Sequence, residues 1–177
     1  GSARLDGSNY FGVKANNRTV PLWSAGVKWE ISKEDFLSAK YFSQLVFRVT
    51  YGYNGNLDKN STAVATIQYN RVPSTLTGLP YAIVNNIPNP QLRWEKMSHF
   101  NVGIDFVTSN KRISGSVEYY LKKGNDLIGD KPIDPTTGVN QLRGNFSGMK
   151  AHGADIQIST VNIDKNFRWS TSFLFNY

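Results

Sequence analysis

Cysteine is missing from the 177-residue sequence, histidine and methionine occur only twice each, and no apolar run outlasts Tyr81-Ala82-Ile83-Val84. Without cysteine there is no disulfide scaffold and no cysteine-ligated zinc or iron–sulfur site, though the redox compartment stays open. Without a long apolar run, no helix crosses a bilayer, since a spanning helix needs about 20 apolar residues. The opening Gly1-Ser2-Ala3-Arg4-Leu5-Asp6-Gly7 has neither the basic nor the apolar region of a signal peptide, so an export address is expected elsewhere or already removed. His99 and His152 each lack a second ligand at metal spacing, which predicts structural or solvated roles. Asp126, Asp130 and Asp134 fall in one segment, but their spacing fits no EF-hand, and solvated carboxylates are expected. No Gly-x-Ser-x-Gly or comparable nucleophile motif occurs, so neither an enzyme nor a cofactor is expected.

What is present suffices for a folded domain. Lys+Arg number 20 against Asp+Glu 13, a net charge of +7, with 40% hydrophobic and 13% aromatic residues. Such a chain is not disordered, collagenous or a coiled coil. Its basic residues are spread through the sequence without a binding motif, and no nucleic-acid partner is expected.

The dominant pattern has period two. Trp23, Ala25, Val27, Trp29 and Ile31 alternate with Ser24, Gly26, Lys28 and Glu30, as in a strand with one apolar and one polar face. The same pattern recurs at Leu45–Tyr53, with Val46 the misfit, and at Phe100–Phe106, Ile113–Leu121, Ala154–Ser159 and Phe167–Tyr177. Helix is scarce: Ser32, as an N-cap ahead of Asp35-Phe36-Leu37, supports a single turn. The expected fold is all-β and antiparallel.

A soluble sandwich and a transmembrane barrel both alternate in this way. Strand segments of about 9–11 residues fit a tilted crossing of the hydrocarbon better than globular strands of about 5–6. Connections also alternate in length. Those at 32–44, 108–111 and 162–166 are short or moderate, whereas 54–93 and 122–150 are long. In an up-and-down meander this puts the long loops on one side, as in outer-membrane barrels. Tyr51, Tyr53, Tyr119 and Tyr120, near the long-loop ends, are placed to form an aromatic girdle at the headgroups. The barrel reading turns Lys28, Glu30, Arg48, Asp105, Glu118, Asp155 and Arg168 toward the lumen. It turns Trp23, Val27, Trp29, Phe47, Val49, Ile104, Val117, Ile156, Trp169 and Phe173 toward lipid. Tyr69, Tyr81 and Trp94, in or beside the longest connection, could stack on sugar rings or simply pack the loop.

Several stretches in order resemble the SusC/RagA family of TonB-linked outer-membrane proteins. They are Arg4-Leu5-Asp6-Gly7-Ser8-Asn9-Tyr10-Phe11-Gly12, Pro21-Leu22-Trp23-Ser24-Ala25-Gly26-Val27-Lys28-Trp29-Glu30-Ile31-Ser32, and Phe47-Arg48-Val49-Thr50-Tyr51-Gly52 with Gly55-Asn56. Asn89-Pro90-Gln91-Leu92-Arg93-Trp94-Glu95-Lys96 resembles the family's N-P-x-L-x-W-E stretch, and Asn101–Phe106, Arg112–Tyr120, Asp126-Leu127-Ile128 and Gly153–Ile156 continue the series. The resemblance implies a partial barrel over 1–177 from the carboxy-terminal half of an about 22-stranded plugged barrel, without plug or amino-terminal domains. It also implies active import of oligosaccharides or peptides across the outer membrane. The implied partners are a SusD-like surface lipoprotein and, through the plug, TonB. A soluble β-sandwich carbohydrate-binding module and a siderophore or cobalamin receptor without a lipoprotein lid are the alternatives.

Overall fold

Aromatic and β-branched residues at every second position favour pleated, extended backbone, and sheet is what most of the sequence forms. The computed structural model describes residues 1–8, 19–35 and 41–177, with Thr137 described by its backbone alone. Its strands are β1 (Ser2–Gly7), β2 (Thr19–Glu30), β3 (Phe42–Asn56), β4 (Thr66–Tyr69), β5 (Ala82–Asn86), β6 (Glu95–Thr108), β7 (Ile113–Pro132), β8 (Gln141–Asp164) and β9 (Arg168–Asn176). Seven make one antiparallel sheet in the order β1-β2-β3-β6-β7-β8-β9. β4 and β5 form a separate hairpin inside the long β3–β6 connection.

The register carries the two faces across the whole sheet. One transverse row reads Trp29, Phe47, Ile104, Val117, Ile156, Phe175, and the next reads Val27, Val49, Val102, Tyr119, Ala154. Among the described residues nothing covers this apolar face: Val27 is 70% exposed, and Trp23, Trp29 and Trp169 are exposed as well. A sandwich would bury those tryptophans in a protein core, and this single layer has none there. Trp23 packs edge-on against Tyr51 at 5.6 Å, and Tyr51 against Tyr53 at 5.7 Å, at the long-loop end of the face. Tyr119 shares the apolar face, but Tyr120 does not belong to that girdle. It lies on the opposite face over Gly153, where any Cβ would collide with its ring.

Two connections differ from the sequence reading. Segment 122–150, expected as a long loop, is mostly strand, because β7 and β8 continue outward to Pro132 and Gln141 and leave only 133–140 as the turn. The alternation is lost there because the ladder shifts register on either side of Leu127, and Asp126 adopts φ 58°, so residue parity no longer reports the face. Likewise β3 runs on to Asn56 and β6 begins at Glu95. The turn after β2 is a 3-10 helix, Ile31–Lys33, with Glu30 rather than Ser32 at its N-cap. Glu34 accepts a 2.9 Å hydrogen bond from Trp29 Nε1. Phe36 and Leu37, like Asn9–Gly12 in the family-like opening, lie outside the described residues.

Apart from Val46, which is buried on the polar face between Glu30 and Asp105, the buried apolar residues gather at the long-loop end. Val20 and Leu22, on the otherwise polar face of β2, pack with Trp94 and Leu57, and Ala63 and Leu92 pack with Leu57 and Ile128.

Candidate functional site

The polar face is organised around one guanidinium. Arg48 on β3 grips Asp105 on β6 through both carboxylate oxygens, at 2.7 and 2.9 Å, and reaches Glu118 on β7 at 2.5 Å. Its planar fork suits two-point binding of a carboxylate. Asn101 donates to the other oxygen of Glu118 at 3.3 Å. Asp155 stands across the ladder from Glu118, and Lys28 across from Arg48. Lys28 donates to Glu30 at 3.1 Å, and Arg168 lies 3.9 Å from Asp164 at the short-turn end. Lys28, Glu30, Arg48, Asp105, Glu118, Asp155 and Arg168 share this face of the sheet, and Trp23, Val27, Trp29, Phe47, Val49, Ile104, Val117, Ile156, Trp169 and Phe173 share the opposite one.

A denser arrangement holds the long loops. Nearly every residue of the Asn89–Glu95 stretch is engaged. Asn89 accepts from the Gln91 amide at 3.1 Å and donates to the Arg143 carbonyl at 2.9 Å. Leu92 is buried with Ala63. Arg93 donates to Asp126 at 2.6 Å, while its backbone N–H and C=O are both bound by the Asn145 side chain, at 2.9 and 2.8 Å. Asn145 also donates to the Asp126 carbonyl at 2.5 Å. Glu95 accepts from the Ile128 amide at 2.8 Å and from Asn56 at 2.6 Å. Trp94 is 9% exposed and lies against Val20 and Leu22. Gly55 makes room for it, because a Cβ there would come within 2.9 Å of Val20 and 3.3 Å of the Trp94 ring.

A second clamp lies beside the first. Arg143 on β8 donates to Ser61 at 2.9 Å and to Asp58 at 3.0 Å, and sits 3.4 Å from Asp130. The Ser61 hydroxyl donates to Asp58 at 2.6 Å. That bond, then the Asn60 amide and Arg143, hold the Asp58 carboxyl below its ordinary pKa against the opposing effect of burial. Arg93 and then Lys96 do the same for Asp126. Asp134 accepts from the Thr136 amide at 3.0 Å and caps the turn at 135–137. The three aspartates of this segment thus answer to three different partners. Among the described residues no cluster of three His, Asp or Glu side chains could hold a metal.

The three loop aromatics separate. Trp94 is interior, its ring covered, and is not free to stack on a sugar. Tyr69, 74% exposed, and Tyr81 stand on the β4–β5 hairpin, where Asn70 bonds the Tyr81 hydroxyl. Ile67, Val72, Leu79 and Ile83 are also exposed on that hairpin, and Leu76 at its tip is 94% exposed. Sequence reasoning missed Asn89, Arg143, Asn145 and Asp58 as the fasteners of this end. The strongest available signal was the Asn-Pro dipeptide before an apolar-charged-aromatic run.

The chain matches the family described as TonB dependent receptor-like, beta-barrel over residues 1–177. It is 31% identical to TonB-dependent receptor P39 of Formosa agariphila over 99% of this chain and 17% of that protein. It is 29% identical to TonB-dependent receptor SusC of Bacteroides thetaiotaomicron over 96% of this chain and 18% of SusC. The RagAB peptide importer in its closed-closed state aligns with a TM-score of 0.83 at 26% identity, over 99% of this chain and 19% of that one. The chain therefore spans about a sixth of the length of the curated relatives it matches.

Proposed function

Because the chain belongs to the TonB-dependent receptor-like β-barrel family, and with it to the bacterial outer membrane, we propose that it forms wall and outer loops of a receptor that imports oligosaccharides or peptides. Its apolar face meets lipid, and its charged face, centred on Arg48, lines the lumen opposite a plug supplied by other parts of that receptor. A SusD-like lipoprotein closes over the long-loop end, and TonB supplies energy through the plug. The likeness to SusC, a TonB-dependent receptor, and to the RagAB peptide importer supports these roles.

The observation that carries this reading is the difference between the two ends of the sheet. One end has short turns at 109–112 and 165–167. The other raises the β7–β8 extension and a clamped loop whose hairpin exposes Leu76, Leu79 and Tyr69. Exposed apolar side chains on one hairpin fit a protein lid better than open water. The siderophore-type alternative has no use for a lid there.

The test uses the full-length receptor in its own cells, with residues 70–81 replaced by a Gly-Ser linker. The expected outcome is a folded barrel that no longer co-purifies with a lipid-anchored partner and no longer supports growth on the oligosaccharide or peptide mixture that the unaltered receptor imports. A receptor that purifies without any lipoprotein, or whose uptake survives the replacement, overturns the reading.

A further inference from the structure

The apolar face ends abruptly in a basic row. On β7 the outward residues run Ile113, Gly115, Val117, Tyr119 and Leu121 and then reach Lys123. Lys123 stands directly opposite Lys150 on β8, and Leu121 directly opposite His152, all on the same face. Across β6, Ser98 continues the lysine row to Tyr53 and Trp23, two members of the aromatic cluster. Lysine opposite lysine on neighbouring strands is destabilising unless something negative lies between. The chain supplies nothing negative: among the described residues neither Lys123 nor Lys150 has an ion-pair partner. Asp126, just beyond, is taken by Arg93 and Lys96, while Glu118 and Asp155 occupy the other face.

Beside the lysines is a cleft of about 330 Å³, lined by Phe100, Leu121 and His152 in one row and by Lys123 and Lys150 in the next row toward the long-loop end. Two chemistries therefore meet there, cationic above and hydrocarbon-like below, at the depth where Trp and Tyr mark lipid headgroups. A soluble anion would use only the first, and a neutral lipid only the second. We infer that the Lys123–Lys150–His152 cleft is a binding site for the phosphate-bearing headgroup of an anionic lipid, whose acyl chain lies along Phe100 and Leu121. The inference rests on the lipid-facing reading of the apolar face. The lysine stems reach along the apolar surface while their ammonium groups converge on the phosphate, which relieves the Lys123–Lys150 opposition.

The experiment is native mass spectrometry of the full-length receptor, delipidated in detergent and offered phosphatidylglycerol, phosphatidylcholine of the same acyl chains, or inorganic phosphate. The unaltered receptor is expected to retain phosphatidylglycerol over phosphatidylcholine. The double variant Lys123→Gln with Lys150→Gln should lower that preference about tenfold, while Lys165→Gln, at the opposite end, should leave it unchanged. Should the double variant fail to fold, the unaltered receptor tests the site by itself: its preference should fall steeply as salt is raised, and a preference indifferent to salt overturns the site. Equal retention of both lipids overturns the site but leaves the lipid-facing wall standing. Retention of neither overturns both. Displacement of phosphatidylglycerol by millimolar inorganic phosphate, or a preference that survives the double substitution, also overturns the site.

Discussion

The middle of the sheet and its long-loop end are built on opposite terms. In the middle, the backbone ladder supplies the cohesion and side chains need only suit the medium on each side, so Val27, Ile104 and Val117 remain exposed without loss. At the long-loop end the medium gives no help, and cohesion comes from named contacts: Trp94 on Gly55, Asn145 around Arg93, Arg143 between Ser61 and Asp58. A barrel wall tolerates any apolar residue outward and is intolerant of charge there. A clasp is intolerant of shape change and indifferent to lipid. The same chain thus answers to membrane physics below and globular-protein physics above.

Substitutions on each side sharpen the contrast. Trp94→Ala should cost about 3–5 kcal/mol by opening a cavity among Val20, Leu22 and Leu57. The loss should appear as rapid proteolysis within 57–94 while the barrel keeps its heat-modifiable gel mobility; loss of the barrel itself would show that the two regions are not separable. Ile104→Arg should cost about 2–4 kcal/mol in refolding titrations into lipid vesicles, whereas Ser116→Arg on the opposite face should be nearly silent. Equal costs would break the assignment of the faces. Asn145→Ala removes three hydrogen bonds from Arg93 and Asp126 and should cost about 1–3 kcal/mol, read as faster hydrogen exchange at Arg93 with the sheet interior unchanged.

The smallest effect is a pH dependence confined to the clasp. The Asp58 carboxyl titrates below its ordinary value in the folded state, so the stabilisation it gives is present above the unfolded carboxylate range, about pH 4. It is lost as pH falls through the folded value. Protease cleavage within 57–94 should therefore rise as pH drops below about 4, and Asp58→Asn should weaken that dependence, leaving the share that Asp126 gives through Arg93, while the loop is looser at neutral pH.

Much of the wall was legible in the sequence because period two is a local signal. Phe100, Val102, Ile104 and Phe106 declare their face within seven residues of chain. The β7–β8 extension was not legible, because Asp126 and the register shifts around Leu127 scramble parity while pairing continues. The clasp was legible only as a resemblance. Its partners lie far away in sequence, Arg93 with Asn145 and Arg143 with Asp58, and no window along the chain contains both halves of such a bond. One clue did lie in β2. Val20 and Leu22 are apolar at even positions, whereas Trp23 to Trp29 are apolar at odd ones. That switch marks where the polar face stops being open and starts meeting the loop that carries Leu57 and Trp94.

The strand order also has a consequence for how the sheet assembles. Every neighbour in it is next in sequence except one pair, β3 and β6, which are separated by the whole of 57–94. Hairpins such as β6–β7, β7–β8 and β8–β9 can zip from their turns with little entropic cost, whereas joining β3 to β6 must first close a long loop. The clasp ties the end of that loop, at Arg93 and Trp94, both to β8 and to β2. Because those contacts sit at the far end of the loop, they form only as β3 and β6 meet, so they lock the long closure once its entropic cost has been met rather than lowering that cost beforehand.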